Sequence, residues 1–271
     1  SAVVFDRRVG GRELDFGTTG KLRNSDLVMY DRQTESWWQQ FTGEAIVGSM
    51  LGQELKLVPA RLESFAEFTA RHPNGRVLVP SDPTLRRYGI NPYRGYDSSA
   101  RPFLFDGSLP PGIPAMARVV VVKADRTKPV IVALEHLRKH RQLQFGALRL
   151  AWRPGQASAV DTSEIALGQD VGTVEVTAVD ATGKSELVPY DVTFAFVAHA
   201  FHPDVDIVQR RTARLPPGWV PGSAGCAPVQ RSLCRCRQHL TPAPASQRQL
   251  RCDKAVSHTV AQHALADVVD C

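Results

Sequence analysis

The amino-acid sequence predicts a β-rich α+β fold with two related antiparallel β lobes, a few short helices and an irregular C-terminal tail. Three observations lead to this prediction. Short runs of β-branched and aromatic residues alternate with turn residues along most of the chain, which is the pattern of antiparallel strands. A segment in the middle of the chain resembles the segment at its start. The end of the chain differs from the rest in charge and in cysteine content.

The first predicted lobe covers residues 1–115 and begins with a hairpin. Gly10 and Gly11 separate two short runs, and glycine readily adopts the positive φ that a tight hairpin turn needs. A helix is predicted to open at Pro59, where apolar residues recur with a helical period. The predicted strands of this lobe are Ala2–Phe5, Arg12–Phe16, Leu27–Tyr30, Trp37–Phe41, Ala45–Leu51 and Glu54–Val58.

The second predicted lobe covers residues 116–209 and follows a loop, at residues 81–114, that is rich in Pro, Gly, Tyr and Asp. A segment from Pro129 to His140 is predicted to become helical near Ala133. The predicted strands of this lobe are Arg118–Lys123, Ala147–Trp152, Val171–Val179 and Val192–Phe201.

A short repeat links the two lobes. Ser158-Ala159-Val160-Asp161 echoes Ser1-Ala2-Val3-Val4-Phe5-Asp6, and in both places a Gly-bearing turn and another strand follow. Repeated patterns at this scale indicate duplicated structural units. We therefore expect the two lobes to be diverged copies of one unit.

The excess positive charge is confined to the tail. The chain has 33 basic and 27 acidic side chains, and residues 210–271 hold nine of the basic and three of the acidic ones, so residues 1–209 are neutral. A nucleic-acid groove needs its positive charge on the folded part, so no nucleic-acid partner is expected. No apolar run is long enough to cross a bilayer, so no transmembrane segment is expected either.

All five cysteines also lie in the tail, at positions 226, 234, 236, 252 and 271. Their count is odd and their spacing irregular, which does not match a disulfide framework or a paired C-x-x-C zinc site. The tail shows no sustained period. We expect it to be disordered, or to be read out of the natural frame, because the composition changes abruptly where the fold should finish.

Several motifs of the chain closely resemble a bacterial and archaeal family, the domain-of-unknown-function family 3179. The resemblance covers about residues 1–209 and rests on Phe5-Asp6-Arg7, on the run Gly20–Gln40, on Thr42–Ile46, on His72-Pro73, Tyr88-Gly89, Asn91-Pro92-Tyr93 and Gly95-Tyr96, and on Ala200-Phe201-His202-Pro203-Asp204. The resemblance implies an extracytoplasmic parent protein and supplies no activity.

This resemblance also carries a departure. Family members have a Cys-Pro-Leu-Cys-Gly segment just before the residues that match Ser1–Arg7, and this chain lacks that pair of cysteines. A C-x-x-C pair is suited to redox chemistry or to metal binding. If the family's chemistry uses those sulfurs, this chain is expected not to perform it.

The densest polar cluster lies among the first strands and is the first candidate site. Alternate residues of a strand share a face, so Asp31 and Glu44 are expected to converge across neighbouring strands with Gln39. Such carboxylates can act as general acid and base or as ligands of a hard cation. The alternative is structural: a side-chain-capped turn and bonded strand ends. The ligand-binding candidates are Asn24, Asp26, Asp31, Ser36, Gln39 and Glu44.

The second candidate site is a metal set formed by His199, His202 and Asp204. The two histidines are three residues apart, so shared coordination of a divalent metal requires a local turn after Phe201. Imidazoles with one carboxylate suit zinc, copper or iron. The alternative is a hydrogen-bonded histidine at a strand end.

Three functions are weighed from these residues. The leading hypothesis is a ligand- or metal-binding domain of an extracytoplasmic protein. The second is a redox or hydrolytic enzyme whose reactive group is the absent Cys pair or the same carboxylates. The third is a structural interaction module, which the absence of a convergent polar pocket would favour.

Overall fold

The fold is taken from a computed structural model of the chain. It describes residues 3–210 except 86, 89, 125–127 and 181. The predicted tail, apart from Arg210, therefore lies outside the described residues, as do its five cysteines.

The first half of the chain forms short antiparallel strands. β1 pairs with β8, β2 pairs with β3, and a four-stranded meander has the order β4-β5-β6-β7. These strands are β1 (Val4–Asp6), β2 (Arg8–Val9), β3 (Arg12–Glu13), β4 (Phe16–Arg23), β5 (Asp26–Asp31), β6 (Trp37–Gln39), β7 (Glu44–Val47) and β8 (Lys56–Val58).

Turn chemistry fixes the order of the meander. Asn24 and Ser25 both have positive φ, of 54° and 57°, which is the geometry of the two-residue turn that suits a twisted hairpin. Gly43, with φ of 74°, makes the bend between β6 and β7. The residues on one face of the meander are buried with residues from the strands beside it, and this core contains Val9, Leu14, Phe16, Met29, Trp38, Ala45 and Leu55.

The predicted helix forms later than expected. Helix α1 spans Phe65–Arg71, because Ser64 caps it by accepting a hydrogen bond from the backbone N–H of Glu67 at 3.3 Å. The Ser-x-x-Glu spacing is a recognised start signal for helices, and it takes precedence over the period that begins at Pro59. The helix has no buried residue.

The second half forms two four-stranded sheets. The central sheet has the order β15-β9-β10-β16, with β10 and β16 parallel, and the other is the antiparallel meander β11-β12-β13-β14. The strands are β9 (Arg118–Val122), β10 (Val130–Ala133), β11 (Gln142–Phe145), β12 (Leu148–Arg153), β13 (Thr173–Val179), β14 (Ser185–Leu187), β15 (Tyr190–Phe194) and β16 (Ile207–Val208). Helix α2 (Leu134–His140) follows β10, and a short 3-10 helix spans Ile165–Leu167.

One strand prediction in the second half is wrong over much of its length. The segment predicted as a strand from Val192 to Phe201 is β15 followed at once by helix α3 (Ala195–Phe201). Ala195, Phe196, Val197 and Ala198 are all buried in this helix. A continuous apolar run does not distinguish a buried strand from a buried helix, and alanine favours the helix.

The two halves of the chain meet at Phe41. This side chain is fully buried and belongs to a core whose other buried members are Ala115 and residues from the second half, including Val119, Val121, Ile131 and Phe196. Arg61, just before α1, also forms an ion pair with Glu175 of β13. The β-rich fold class is confirmed, whereas the lobe boundaries and the common origin of the lobes stay predictions. No helix among residues 3–210 that the structure describes is long and apolar enough to cross a membrane.

Candidate functional site

The residues of the first candidate site lie on both faces of the first-half sheet β4-β5-β6-β7, which is called the meander from here on. Along β5, Asp26, Val28 and Tyr30 share one face, which we call the outer face, because alternate strand residues point the same way. Opposite them on β6, Gln39 pairs with Val28 and Trp37 pairs with Tyr30. Asp31 pairs with Phe16, whose side chain is buried in the core on the opposite face.

This arrangement corrects one expectation. Glu44 pairs with Gln39 and shares the outer face with it, whereas Asp31 lies on the core-facing side. The expected convergence of Asp31 and Glu44 is therefore wrong. Glu44 is exposed and Asp31 is fully buried, so the two carboxylates occupy different environments.

Asp31 organises a buried polar network beneath the outer face. Its carboxylate accepts hydrogen bonds from Trp38 Nε1 at 2.9 Å, from the Thr34 backbone N–H at 2.6 Å and from the Thr34 hydroxyl at 2.7 Å. The Ser36 hydroxyl lies 2.8 Å from that of Thr34 and accepts from the Met50 N–H at 3.1 Å. Burial alone raises the pKa of Asp31, but the hydrogen bonds from Trp38 and Thr34 outweigh it and hold the pKa below its usual value.

Above this network, the outer face carries a shallow open groove. Its volume is about 360 Å³, and it is lined by Thr18, Thr19, Tyr30, Glu35 and Trp37. The two aromatic side chains are partly exposed and lie directly opposite each other on β5 and β6. The volume is within the lower part of the range of roughly 300–1,000 Å³ that is usual for small-ligand sites.

Gly17 makes the shape of the groove possible. Gly17 pairs with Tyr30 across β4 and β5, and a Cβ atom at Gly17 would lie 2.7 Å from Cε1 of the Tyr30 ring. Only a residue without a side chain lets the ring rest across the neighbouring strand. The Tyr30 ring therefore extends the groove toward β4.

Two side chains of opposite charge, Arg32 and Glu35, lie beside the groove. Arg32 donates to the Tyr30 hydroxyl at 3.2 Å, and its guanidinium carbon is 5.7 Å from the centre of the Tyr30 ring. Glu35 is exposed, with a positive φ of 56°, in the turn that joins β5 to β6. The groove thus has an aromatic floor with a carboxylate in its lining and a guanidinium at its edge.

The part of the outer face around Asp26 is covered by residues from the second half of the chain. Asp26 accepts hydrogen bonds from Gln39 Nε2 at 2.6 Å and from the Phe41 N–H at 2.9 Å, both on the same oxygen. Burial, with a smaller contribution from the nearby carboxylate of Asp191, raises the pKa of Asp26 to about 6 against the lowering effect of these bonds.

Phe41 connects Asp26 to charged groups of the second half. Lys123 Nζ donates to the Phe41 carbonyl at 2.5 Å and lies 4.1 Å from the centre of the Phe41 ring. The His202 ring is 6.0 Å from the same ring, and burial, with a smaller effect of Lys123, lowers the pKa of His202. Asp191 is buried, and neither of its oxygens has a hydrogen-bond partner among the described residues.

The predicted metal set is not assembled. His199 is in the last turn of α3, with its Nε2 at 3.5 Å from the Ser108 hydroxyl, whereas His202 ends the helix beside Phe41. Within the part of the chain that the structure describes, no group of three His, Cys, Asp or Glu side chains is placed to hold a metal ion. The helix ends at Phe201 and His202 has non-helical backbone, with φ of −136° and ψ of 64°, so the i, i+3 spacing does not bring the two imidazoles onto one helical face.

The remaining candidate, Asn24, connects the two halves. Its side chain donates to the Ala200 carbonyl at 3.3 Å, and the neighbouring Ser25 hydroxyl is 3.1 Å from the Leu104 carbonyl. The turn between β4 and β5 is therefore a docking element.

Sequence reasoning missed Lys123 and Asp191 as site residues. The available signal for Lys123 was its position as a charged residue at the end of the apolar run Val119–Val122. The signal for Asp191 was a charged residue directly before Val192. Trp37 was likewise not among the candidate site residues, and the available signal was the Trp37-Trp38 pair itself. On a strand, one of two adjacent tryptophans faces away from the core.

A β-rich domain with a shallow aromatic groove on one sheet is the class that the fold and the site define. The comparisons with known proteins give the family. A family described as "Protein of unknown function (DUF3179)" matches residues 1–205, and the chain belongs to it. Neither a search of the curated proteins nor a search of the solved structures gave a match.

Proposed function

We propose that this chain is a ligand-binding domain and that it binds a small ligand in the groove on the outer face of the meander. The observation that carries the proposal is the pair of partly exposed rings, Tyr30 and Trp37, set side by side in a groove of about 360 Å³. Exposed aromatic rings at the base of a concave surface provide a large contact area for a ligand with little loss of conformational freedom.

The polar network beneath the groove supports this proposal. Asp31 follows Tyr30 and Trp38 follows Trp37, and these two buried neighbours are joined by the hydrogen bond from Trp38 Nε1 to the carboxylate. Because this hydrogen bond fixes the backbone of both strands, the exposed Tyr30 and Trp37 rings are held in position before a ligand binds. A site that is ordered before binding loses less entropy when the ligand arrives.

Two of the three carboxylates among the sequence candidates, Asp31 and Asp26, serve the fold beside the groove. Asp31 accepts three hydrogen bonds from the strand and turn that carry Trp37 and Trp38, and Asp26 accepts one from Gln39 of β6 and one from Phe41, two residues after the end of β6. In the proposed function both are positioning residues rather than ligand contacts. The extracytoplasmic location of the parent protein stays a prediction.

Protein-observed NMR tests the proposal. The probes are a library of single-ring polar compounds, added to ¹⁵N-labelled protein, and the readout is the set of tryptophan indole and backbone amide signals. We expect compounds that bind to shift the Trp37 indole signal, assigned with a Trp37→Phe variant, together with the amides of Thr18, Thr19 and Glu35.

Trp152 supplies the internal control. Its indole N–H donates to the Val171 carbonyl at 2.8 Å in the second half of the chain, so its signal should stay in place. Compounds that shift Trp152 and leave Trp37 unmoved would contradict the proposed function.

A further inference from the structure

We infer that the ligand of the groove is a neutral carbohydrate, bound with the apolar face of a sugar ring against Tyr30 and Trp37. This inference rests on the proposed function and adds the chemical class of the ligand. Three properties of the groove carry it: the two neighbouring rings, the balance of charge around them, and the polar side chains in the lining.

The aromatic floor suits a ligand with a flat apolar face. Trp37 and Tyr30 occupy directly opposed positions on adjacent strands and both line the groove, which gives it a patch of two aromatic side chains. The face of an aromatic ring carries partial negative charge. The C–H bonds on one side of a pyranose ring carry partial positive charge and are therefore attracted to such a patch, while the hydroxyl groups at the ring edge stay free to bind elsewhere.

The charges around the groove disfavour an ionic ligand. A cation would be repelled by the Arg32 guanidinium, which lies 5.7 Å from the centre of the Tyr30 ring and donates to its hydroxyl. An anion would be repelled by Glu35, which belongs to the lining and is exposed. The two opposite charges favour a neutral ligand.

The polar part of the lining matches hydroxyl groups. Glu35 offers an exposed carboxylate that accepts two or more hydrogen bonds, and Thr18 also belongs to the lining. Thr19 is held by the fold, since its hydroxyl donates to the Val28 carbonyl at 2.6 Å and accepts from the Lys21 N–H at 3.0 Å. A ligand with several hydroxyl groups therefore finds partners at the edge of an aromatic surface, which is the pattern that a sugar presents.

The experiment is an NMR titration of the full chain with five probes. Maltose, cellobiose and N,N′-diacetylchitobiose represent neutral carbohydrates, tetramethylammonium represents cations, and glucuronate represents charged sugars. We expect at least one neutral disaccharide to shift the Trp37 indole signal in a saturable manner and to bind at least tenfold more tightly than either ionic probe. The Trp152 signal should not move.

Variants separate the ring contact from the hydrogen bonds. Trp37→Ala should weaken disaccharide binding at least tenfold, and Trp37→Phe, which keeps a ring, should weaken it less. Glu35→Gln should weaken it about threefold, because one charge-assisted hydrogen bond becomes a neutral one. The Glu44→Gln variant, altered on the same face but outside the groove lining, should bind as the unmodified chain does.

The outcomes distinguish the ligand class from the proposed function. If tetramethylammonium or glucuronate shifts Trp37 and no neutral disaccharide does so, the ligand class is wrong and the groove remains a binding site. If no neutral disaccharide binds while single-ring aromatic compounds of the library do, the class is wrong in the same way. If neither the library nor the five probes shift Trp37, the proposed function fails together with this inference.

Discussion

Asp26 and Asp31 are two buried carboxylates on the same strand, and their environments change the pKa in opposite directions. Asp31 is surrounded by donors, which lower its pKa despite the burial. Asp26 accepts two hydrogen bonds, but burial dominates and Asp191 adds a second negative charge nearby, so its pKa rises to about 6. Asp31 thus stabilises the fold in its charged form, whereas Asp26 stabilises the fold more in its protonated form.

The raised pKa of Asp26 predicts that the protein becomes less stable as the pH rises through about 6. The folded pKa of about 6 exceeds the usual aspartate value of 3.8, so the folded state binds the proton more tightly than the unfolded state. This contribution is fully present below about pH 4 and is lost above about pH 6, with a magnitude of up to about 3 kcal/mol.

The Asp26→Asn variant isolates this contribution. One carboxylate oxygen accepts both existing bonds, and the amide oxygen of asparagine can replace it. We expect urea unfolding at pH 8 to show a variant more stable than the unmodified chain by roughly 1–3 kcal/mol, with a flatter pH profile between pH 4 and pH 7. An unchanged pH profile would show that Asp26 is already charged throughout this range.

The Asp31→Asn variant should behave in the opposite way. Its amide group would place donors where Trp38 and Thr34 donate, so we expect a loss of about 2–3 kcal/mol in the free energy of unfolding at pH 7. Because the folded pKa of Asp31 is lowered, the loss should shrink as the pH falls below about 4. Glu44→Gln, at an exposed position of the same sheet, is the matched control and should change stability by less than about 0.5 kcal/mol. Equal effects of the two substitutions would contradict this account.

At the scale of the elements, the contact between β4 and β5 determines the shape of the groove. Gly17 allows the Tyr30 ring to rest on the neighbouring strand, and a methyl group there would lie 2.7 Å from the ring. The ring is at the end of a partly exposed side chain and can swing away. A substitution at Gly17 should therefore disturb the groove more than the fold.

The Gly17→Ala variant tests this separation. We expect it to weaken binding of the groove's ligand about fivefold or more, while the free energy of unfolding changes by less than about 1 kcal/mol. In a Tyr30→Ala background the same substitution should have no further effect on binding, because the clash no longer exists. Additive losses of ligand affinity in the double variant would mean that Gly17 affects binding by a route other than the Tyr30 ring.

The elements that the sequence predicted correctly are those with an unambiguous local pattern. The strand at Arg118–Lys123 and the start of a helix near Ala133 are confirmed by β9 and α2. Helix α3 was not predictable in the same way, because Ala195–Ala198 is buried on every side and a buried run has no period. Strand β4 was also missed over most of its length, since its Gly17-Thr18-Thr19-Gly20 stretch has a turn-like composition.

At the scale of the whole molecule, the outer face of the meander is divided into a covered half and an open half. Phe41 and Asp26 lie where the second half of the chain packs, and Tyr30 and Trp37 lie where it does not. The sequence identified Asp26, Gln39 and His202 as candidate site residues, and the structure places all three around Phe41. It could not show what joins them, because the contact between Phe41 and Lys123 depends on residues distant along the chain.

Phe41 makes the stability of the two halves interdependent. Its ring stacks on that of Phe201 with centres 4.9 Å apart, and it is fully buried in the core of the second half. We expect Phe41→Leu to lower the free energy of unfolding by about 1–2 kcal/mol and to leave a single cooperative transition. Tryptophan fluorescence and far-UV circular dichroism should report the same midpoint in denaturant. Separate midpoints, or a stability unchanged by the substitution, would mean that the halves fold independently of this contact.

The most direct test of the central claim is a crystal structure of the chain bound to the disaccharide that shifts Trp37 most strongly. The account predicts one sugar ring lying over the Tyr30 and Trp37 side chains, with a hydroxyl group within hydrogen-bond distance of Glu35, and an unchanged Asp31–Trp38 hydrogen bond beneath it. A ligand bound anywhere else on the molecule, with the groove occupied only by solvent, would contradict it.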